Sequence, residues 1–276
     1  MAPDTGYCPW TPRKKGVTPV SVRFLAIDEI AVRKGHQYMT VIVDLESGMV
    51  LEAVQGRDAQ CLKPVFSRLR KAGAQLEAIA VDMSPSFRKA INDYAPNVPI
   101  VHDPFHIVQS ANKALDEVRR TEQSRLENEG RKVTKGNRYL LLKSWEKVEN
   151  EDNDVKKLEE MFAINENLYR AYLLKEDLRQ FWKQPDKEEA TLFLQLWLEE
   201  AATLDLSPIR RLAKTIAKHR DCILAWYDFH ITTGPLEGLN NKIKVLKRRA
   251  YGYRNQEFFR LLILFIHQTK FNLVGL

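Results

Sequence analysis

Apolar and polar residues first fall into a readable rhythm at Val22. VRFLAIDEIAV (Val22 to Val32) is a strand candidate, Lys34-Gly35 a turn, YMTVIVDL (Tyr38 to Leu45) a second strand, Ser47-Gly48 a turn, and Met49 to Val54 a third strand. Period-two runs separated by such short turns predict an antiparallel meander. The period then lengthens. Cys61 to Ala72 has helical spacing and stops at Gly73. LEAIAVD (Leu76 to Asp82) is a short buried strand, Pro85 to Tyr94 a helix opened by proline, and Val98 to Val101 a further strand. The order β-β-β-α-β-α-β predicts an α/β fold, a mixed sheet with helices packed against it. Residues 1–20 are rich in Pro, Lys and Arg, carry little periodicity, and read as a tail or truncated linker.

Between about Ile107 and Phe229 no strand pattern recurs. The segment is charged and helical in spacing and carries Trp145, Trp182, Trp197 and Trp226, with loops at Arg131–Asn137 and Asn150–Asp154. It predicts an all-helical insertion, with a separate helical domain as the alternative. A helix around Glu237 and another from about Asn255 to Lys270, with Gly252 between them, complete the chain. The expected organisation is therefore 21–106 for the first part of a core, 107–229 for the insertion, and 230–276 for the helices that finish the core.

At 276 residues, 44% of them hydrophobic, the chain can bury a substantial core. Its formal net charge of +7 favours a polyanionic partner. Cys8, Cys61 and Cys222 lie far apart with no Cys-x-x-Cys pair, so they read as reduced thiols of a cytoplasmic protein. No signal peptide is visible, and the apolar run Leu261–Ile266 is far below the ~18 residues that a membrane span needs. No membrane role is expected.

The run TGPLEGLNNKIKVLKRRAYGYRN (Thr233 to Asn255) is the most informative in the chain. At about 100° per residue, Glu237, Asn241, Lys244 and Arg248 share one helix face, and Leu239, Ile243, Leu246 and Ala250 the opposite one. No acid occurs between Glu237 and Arg254, so Lys242, Lys247, Arg249 and Arg254 add to a face suited to a phosphate backbone, against a plainer solubilising role. Two further carboxylates stand out. Asp28 interrupts an apolar strand, where an unpaired carboxylate is expensive, and calls for a metal or an arginine. Asp82 ends a strand, where α/β sites gather, or else caps the next helix. Three carboxylates from two strands and a helix suit two-metal phosphoryl chemistry, with two Mg²⁺ or Mn²⁺ ions about 3.5–4 Å apart.

The sheet order with Asp28, Asp82 and Glu237 resembles the ribonuclease H-like core of DDE transposases. FLAIDEIAVRKGHQYMTVIVDLESGMVLEAV, AVDMSPSFRKAI, VHDPFHIVQ and TGPLEGLNNKIKVLKRRAYGYRN are similar to motifs of bacterial insertion-sequence transposases of the ISL-three family, from about Val22 to the C-terminus. The resemblance implies metal-dependent strand cleavage and strand transfer on double-stranded DNA, at the element's terminal inverted repeats and at target DNA. It makes Asp28, Asp82 and Glu237 the successive catalytic and metal-binding acids, and it implies a homodimer when two ends are synapsed and a nucleoid-associated location. The Cys-rich zinc segment and helix-turn-helix usual in the family are not visible, so the chain reads as the catalytic part. A DNA-binding remnant without activity and a structure-specific ribonuclease H-like nuclease are the alternatives.

Among the remaining candidates, His102 and His106 could hold zinc if both were helical, but Pro104 argues against a helix there. Asp103 and His106 read as supporting residues beside the site, Asp103 being also the rival acid. Asp44 and Glu29 read as solvated or edge residues. Tyr251 and Tyr253 read as packing under the helix turn, with base stacking as the alternative. The tryptophans read as core, with wedging beside a flipped base as a minority alternative.

Overall fold

The computed structural model describes residues 21–33, 37–129 and 138–266. Two compact units share the chain: one formed up to Asp103 and again from Phe229 onward, the other formed by Pro104–Asp228. The expected tail, the Lys34-Gly35 turn, the Arg131–Asn137 loop and the end of the last helix lie outside the described residues.

The first unit is built on a five-stranded sheet. Its strands are β1 (Phe24–Arg33), β2 (Gln37–Asp44), β3 (Val50–Gln55), β4 (Ala78–Val81) and β5 (Ile100–His102), in the order β3-β2-β1-β4-β5. β1 pairs antiparallel with β2 and parallel with β4, and β4 pairs parallel with β5. The meander and the crossovers follow the sequence pattern, since β1 alternates two apolar sets. Leu25 and Ile27 enter one core layer with Ile79, Val81 and the helices α1 (Ala59–Lys71) and α2 (Pro85–Tyr94). Ala26 and Ile30 enter the other, with Ala80, Val41 and Val43. Helices α12 (Gly234–Arg249) and α13 (Gln256–Leu264) cover that second face through Leu236, Leu239, Ile243, Phe259 and Ile263.

Local chemistry fixes the element ends. Asp58 caps α1 by accepting from the Cys61 amide at 3.0 Å, and Asn255 caps α13 through the Phe258 amide at 3.0 Å. Gly73, at φ +80°, ends α1 in the left-handed conformation open to glycine. Asp44 is buried, contrary to its reading as a solvated residue. Its carboxylate organises the β2–β3 turn, taking the Ser47 amide at 3.1 Å and the Ser47 hydroxyl. At the sheet edge Glu52 is 1% exposed and takes Arg68 from α1 and Arg260 from α13, the latter at 2.6 Å.

The second unit is helical throughout its described residues: α3 (Pro104–Asn128), α4 (Arg138–Leu142), α5 (Trp145–Val148), α6 (Asp152–Ala163), α7 (Glu166–Gln180), α8 (Lys187–Thr203), α9 (Ser207–Lys218), α10 (Arg220–Leu224) and α11 (Trp226–Phe229), whose last residue belongs to the first unit. Two local expectations need correction. Proline lacks only an amide that a first helical turn leaves unused, so α3 begins at Pro104 itself. The loop expected at Asn150–Asp154 is already helical from Asp152. Trp197 is core, 3% exposed with its indole donating to the Leu174 carbonyl at 2.8 Å, but Trp145 is 42% exposed. Within α7, Lys175 is buried and donates to the carbonyls of Leu141 (2.9 Å) and Lys143 (2.8 Å), groups that α4 leaves without helical partners. Burial pushes the Lys175 ammonium pKa down, and Glu176 beside it opposes that only in part.

Candidate active site

Asp28 and Asp82 arrive from adjacent parallel strands. Ile27 is registered against Val81, so one residue further on the two aspartates stand side by side. Strand alternation sets both toward the layer that α12 covers, because Ala26, Ile30 and Ala80 belong to it. Each carboxylate is oriented by the backbone. Asp28 Oδ1 accepts from the Glu29 amide at 2.7 Å, and Asp82 Oδ1 from the Ser84 amide at 2.9 Å. The second bond pins the turn into α2; Ser84 sits at the N-cap position, but its own side chain makes no cap bond.

Helix α12 crosses these strand ends, and two bonds hold its first half. At its start, the Thr233 amide donates to Asp103 Oδ1 at 3.2 Å, just beyond β5. Two turns on, Asn240 Nδ2 donates to Asp28 Oδ2 at 2.7 Å. Glu237 lies between these anchors and is exposed, one turn before Asn240 on the same side of the helix. The three acids do not close into a cage: among the described residues no three His, Cys, Asp or Glu side chains are near enough to hold a metal ion together.

A fourth carboxylate stands close. Glu29, which its sequence context places at a solvated edge, is half-buried, with Arg57 at 3.9 Å. Burial raises its pKa above the usual carboxylate range; Arg57 lowers it, and the charges of Asp82 and Asp28 add to the rise. Acids therefore crowd this end of the sheet, an arrangement that costs stability unless cations answer it.

Beyond Glu237 the helix divides as the pattern predicts, except at Lys247 and Ala250. Asn241, Lys242, Lys244, Arg248 and Arg249 are exposed, as is Arg254 beyond the helix. Lys247 is half-buried, and its ammonium donates to the Ala31 carbonyl at 2.8 Å, so it ties the helix to β1. On the inner side Leu236, Leu239 and Ile243 are buried, whereas Ala250 is exposed. Tyr253 packs as expected, stacked on Phe259 at 4.7 Å. Tyr251 does not: it is fully exposed and held at φ +50°, the left-handed region that disfavours a bulky side chain. His102 is buried at the end of β5 with Nδ1 3.2 Å from the Val81 carbonyl, and His106 lies in the first turn of α3 in the helical unit.

Sequence reasoning missed Asn240. The signal was present, because 240 falls on the apolar stripe of 236, 239 and 243, where an amide is out of place.

The family model named for the ISL3 (ISL-three) DDE transposases, and described as Transposase, matches residues 25–263. The chain belongs to that transposase family. It is 33% identical over 246 residues to the transposase of insertion sequence element IS1001 from Bordetella parapertussis, covering 88% of this chain and 60% of that protein. It is 30% identical over 265 residues to the transposase of IS1557 from Mycobacterium tuberculosis, covering 86% and 58% respectively. The chain thus spans about three fifths of the length of these relatives. Among solved structures, the Drosophila P element transposase strand transfer complex aligns with a TM-score of 0.50 and 12% identity, covering 94% of this chain and 80% of that one. That likeness extends the fold assignment across both units, and the sheet has the mixed, helix-flanked order of the ribonuclease H-like class. No helix among the described residues is long and apolar enough to cross a membrane.

Proposed function

We propose that this chain cuts DNA at the ends of an insertion sequence and joins the freed strand to target DNA, using Asp28, Asp82 and Glu237 as the ligands of two divalent cations. The observation that carries the reading is the pair of aspartates on adjacent parallel strands, with a helix bonded to Asp28 and to Asp103 whose one acid lies between those two bonds. The donors are all oxygen, which fits Mg²⁺ or Mn²⁺. Such ions keep several waters and complete their shells with substrate phosphates, so a closed protein cage is not required. When bound, the ions supply Lewis-acid stabilisation of the attacking and leaving oxygens of an in-line displacement.

The residues do the rest. Backbone bonds from Glu29 and Ser84 hold one oxygen of each aspartate in place. Asn241, Lys242, Lys244, Arg248, Arg249 and Arg254 meet the phosphate backbone and fix its position without reading sequence. Target DNA, element ends, a homodimer at synapsis and association with the nucleoid follow from the same reading.

The test is cleavage of labelled linear duplex DNA in Mg²⁺ or Mn²⁺ by wild type, Asp28→Asn, Asp82→Asn and Glu237→Gln. Cutting and strand-transfer products from the wild type alone are expected. Equal cutting by Glu237→Gln would remove that residue from the site. Cutting without strand transfer would make the protein a nuclease, and salt-dependent binding with no cutting would make it a protein that occupies DNA.

A further inference from the structure

We propose that Asn240 is the positioning residue of this site: its amide fixes the Asp28 carboxylate in a metal-binding orientation and locks α12, with Glu237, in register over the sheet. This rests on the reading of Asp28 as a metal ligand. Asn240 is 6% exposed and sits on a helix stripe whose other members are Leu236, Leu239 and Ile243. A residue serving the core alone would be apolar there. Instead Nδ2 is spent on Asp28 Oδ2 at 2.7 Å, while Oδ1 is buried with no hydrogen-bond partner among the described residues. The reverse amide orientation would set two acceptors face to face at that distance, so Asp28 itself decides which way the amide points. Leaving a buried acceptor unsatisfied destabilises a fold. The amide is therefore kept at some loss of stability, and its one bond goes to the acid.

The consequence for Asp28 is geometric. The Glu29 amide holds Oδ1 and the Asn240 amide holds Oδ2, each at 2.7 Å, so the carboxylate cannot turn about its own axis. Its oxygens are presented in one fixed direction. Because Asn240 is three residues after Glu237 on a rigid helix, the same bond sets how far Glu237 stands from Asp28 along β1. Lys247 on the Ala31 carbonyl holds the same register two turns further on.

The experiment compares wild type, Asp28→Asn, Asn240→Leu and Asn240→Ala. Mn²⁺ binding is read from the free-ion paramagnetic resonance signal, thermal unfolding is followed in chelator, and kcat and KM for DNA cutting are measured separately. Asn240→Leu fills the stripe with an apolar group of similar volume and removes the unsatisfied Oδ1, which offsets part of the donor that half-buried Asp28 loses, so it should remain folded in chelator. Both Asn240 variants should bind Mn²⁺ about 10–100-fold more weakly, the usual effect of losing a group that orients a ligand. KM for DNA should change little while kcat falls. Mn²⁺ affinity equal to wild type in either folded Asn240 variant would overturn the proposal. Mn²⁺ binding that is absent in wild type, or untouched by Asp28→Asn, would instead refute Asp28 as a ligand and remove the basis for both statements.

Discussion

Replacing Glu52 with alanine should destabilise the sheet unit by about 3 kcal/mol. The carboxylate is 1% exposed on edge strand β3 and neutralises two guanidinium groups arriving from opposite layers, Arg68 of α1 and Arg260 of α13. Arg260 is bound at 2.6 and 3.1 Å, and it also donates to the Ala53 carbonyl at 3.0 Å. Its burial would lower its pKa, but Glu52 and Glu257 more than offset that and hold it raised. Removing one partner of a buried ion pair typically costs about 3–5 kcal/mol. Here the arginine side chains are 39% and 22% exposed, so both recover some hydration and the lower end applies. Glu52→Gln keeps the shape and loses the charge, so about 1.5–3 kcal/mol is expected. Urea unfolding followed by hydrogen exchange at β3 and α13 measures the effect in the right place. Tryptophan fluorescence of a Trp10→Phe background supplies the internal control, since the other four tryptophans, Trp145, Trp182, Trp197 and Trp226, all belong to the helical unit. A loss below about 1 kcal/mol with unchanged protection of β3 and α13 would refute the clamp.

Three further outcomes are expected. Alanine at Arg248 or Lys244 should weaken DNA binding evenly across sequences and reduce the slope of log K against log salt by about one for each phosphate no longer neutralised, whereas Lys247→Ala should act through stability, as its ammonium is committed to Ala31. Tyr251→Gly should stabilise the protein by about 1 kcal/mol in a thermal melt, because an exposed side chain at φ +50° is replaced by the residue that tolerates it. The helical unit should gain stability as pH rises through the alkaline range toward 10.5. There the unfolded state still binds the proton that buried Lys175 has already shed, and Lys175→Met should flatten that slope in a fluorescence-detected titration.

What can be read from the sequence depends on whether a residue's role is periodic or particular. Strand alternation locates β1, β2 and β4, and with them the neighbouring aspartates, because a parallel crossover leaves few ways to pair those strands. The helical spacing of 236, 239 and 243 reveals the inner face of α12. Asp44 and Glu29 escape such reasoning, Asp44 because a turn buries it and Glu29 because its neighbours are distant in sequence, while for Asn240 the stripe shows its burial but not its partner Asp28. Pro104 misleads because a proline is ambiguous until the helix boundary is known. Lys247 looks like its neighbours, and nothing local distinguishes a lysine that reaches a strand carbonyl from one that reaches solvent.

The interruption of the sheet unit by Pro104–Asp228 sets an order of events on the ribosome. All five strands are synthesised before the helical unit begins, so one sheet face, with Ala26, Ile30, Val41, Val43 and Ala80, emerges without its cover. At about 5–20 residues per second, α12 and α13 follow only after a lag of order ten seconds. During that interval the nascent chain is a target for chaperones that hold apolar surface. Its two aspartates are already in place, but the helix carrying the third acid has yet to be made. On the function proposed above, an unfinished chain therefore lacks one of its three acids, and the step that seals the hydrophobic face is the same step that brings Glu237 over the strand ends.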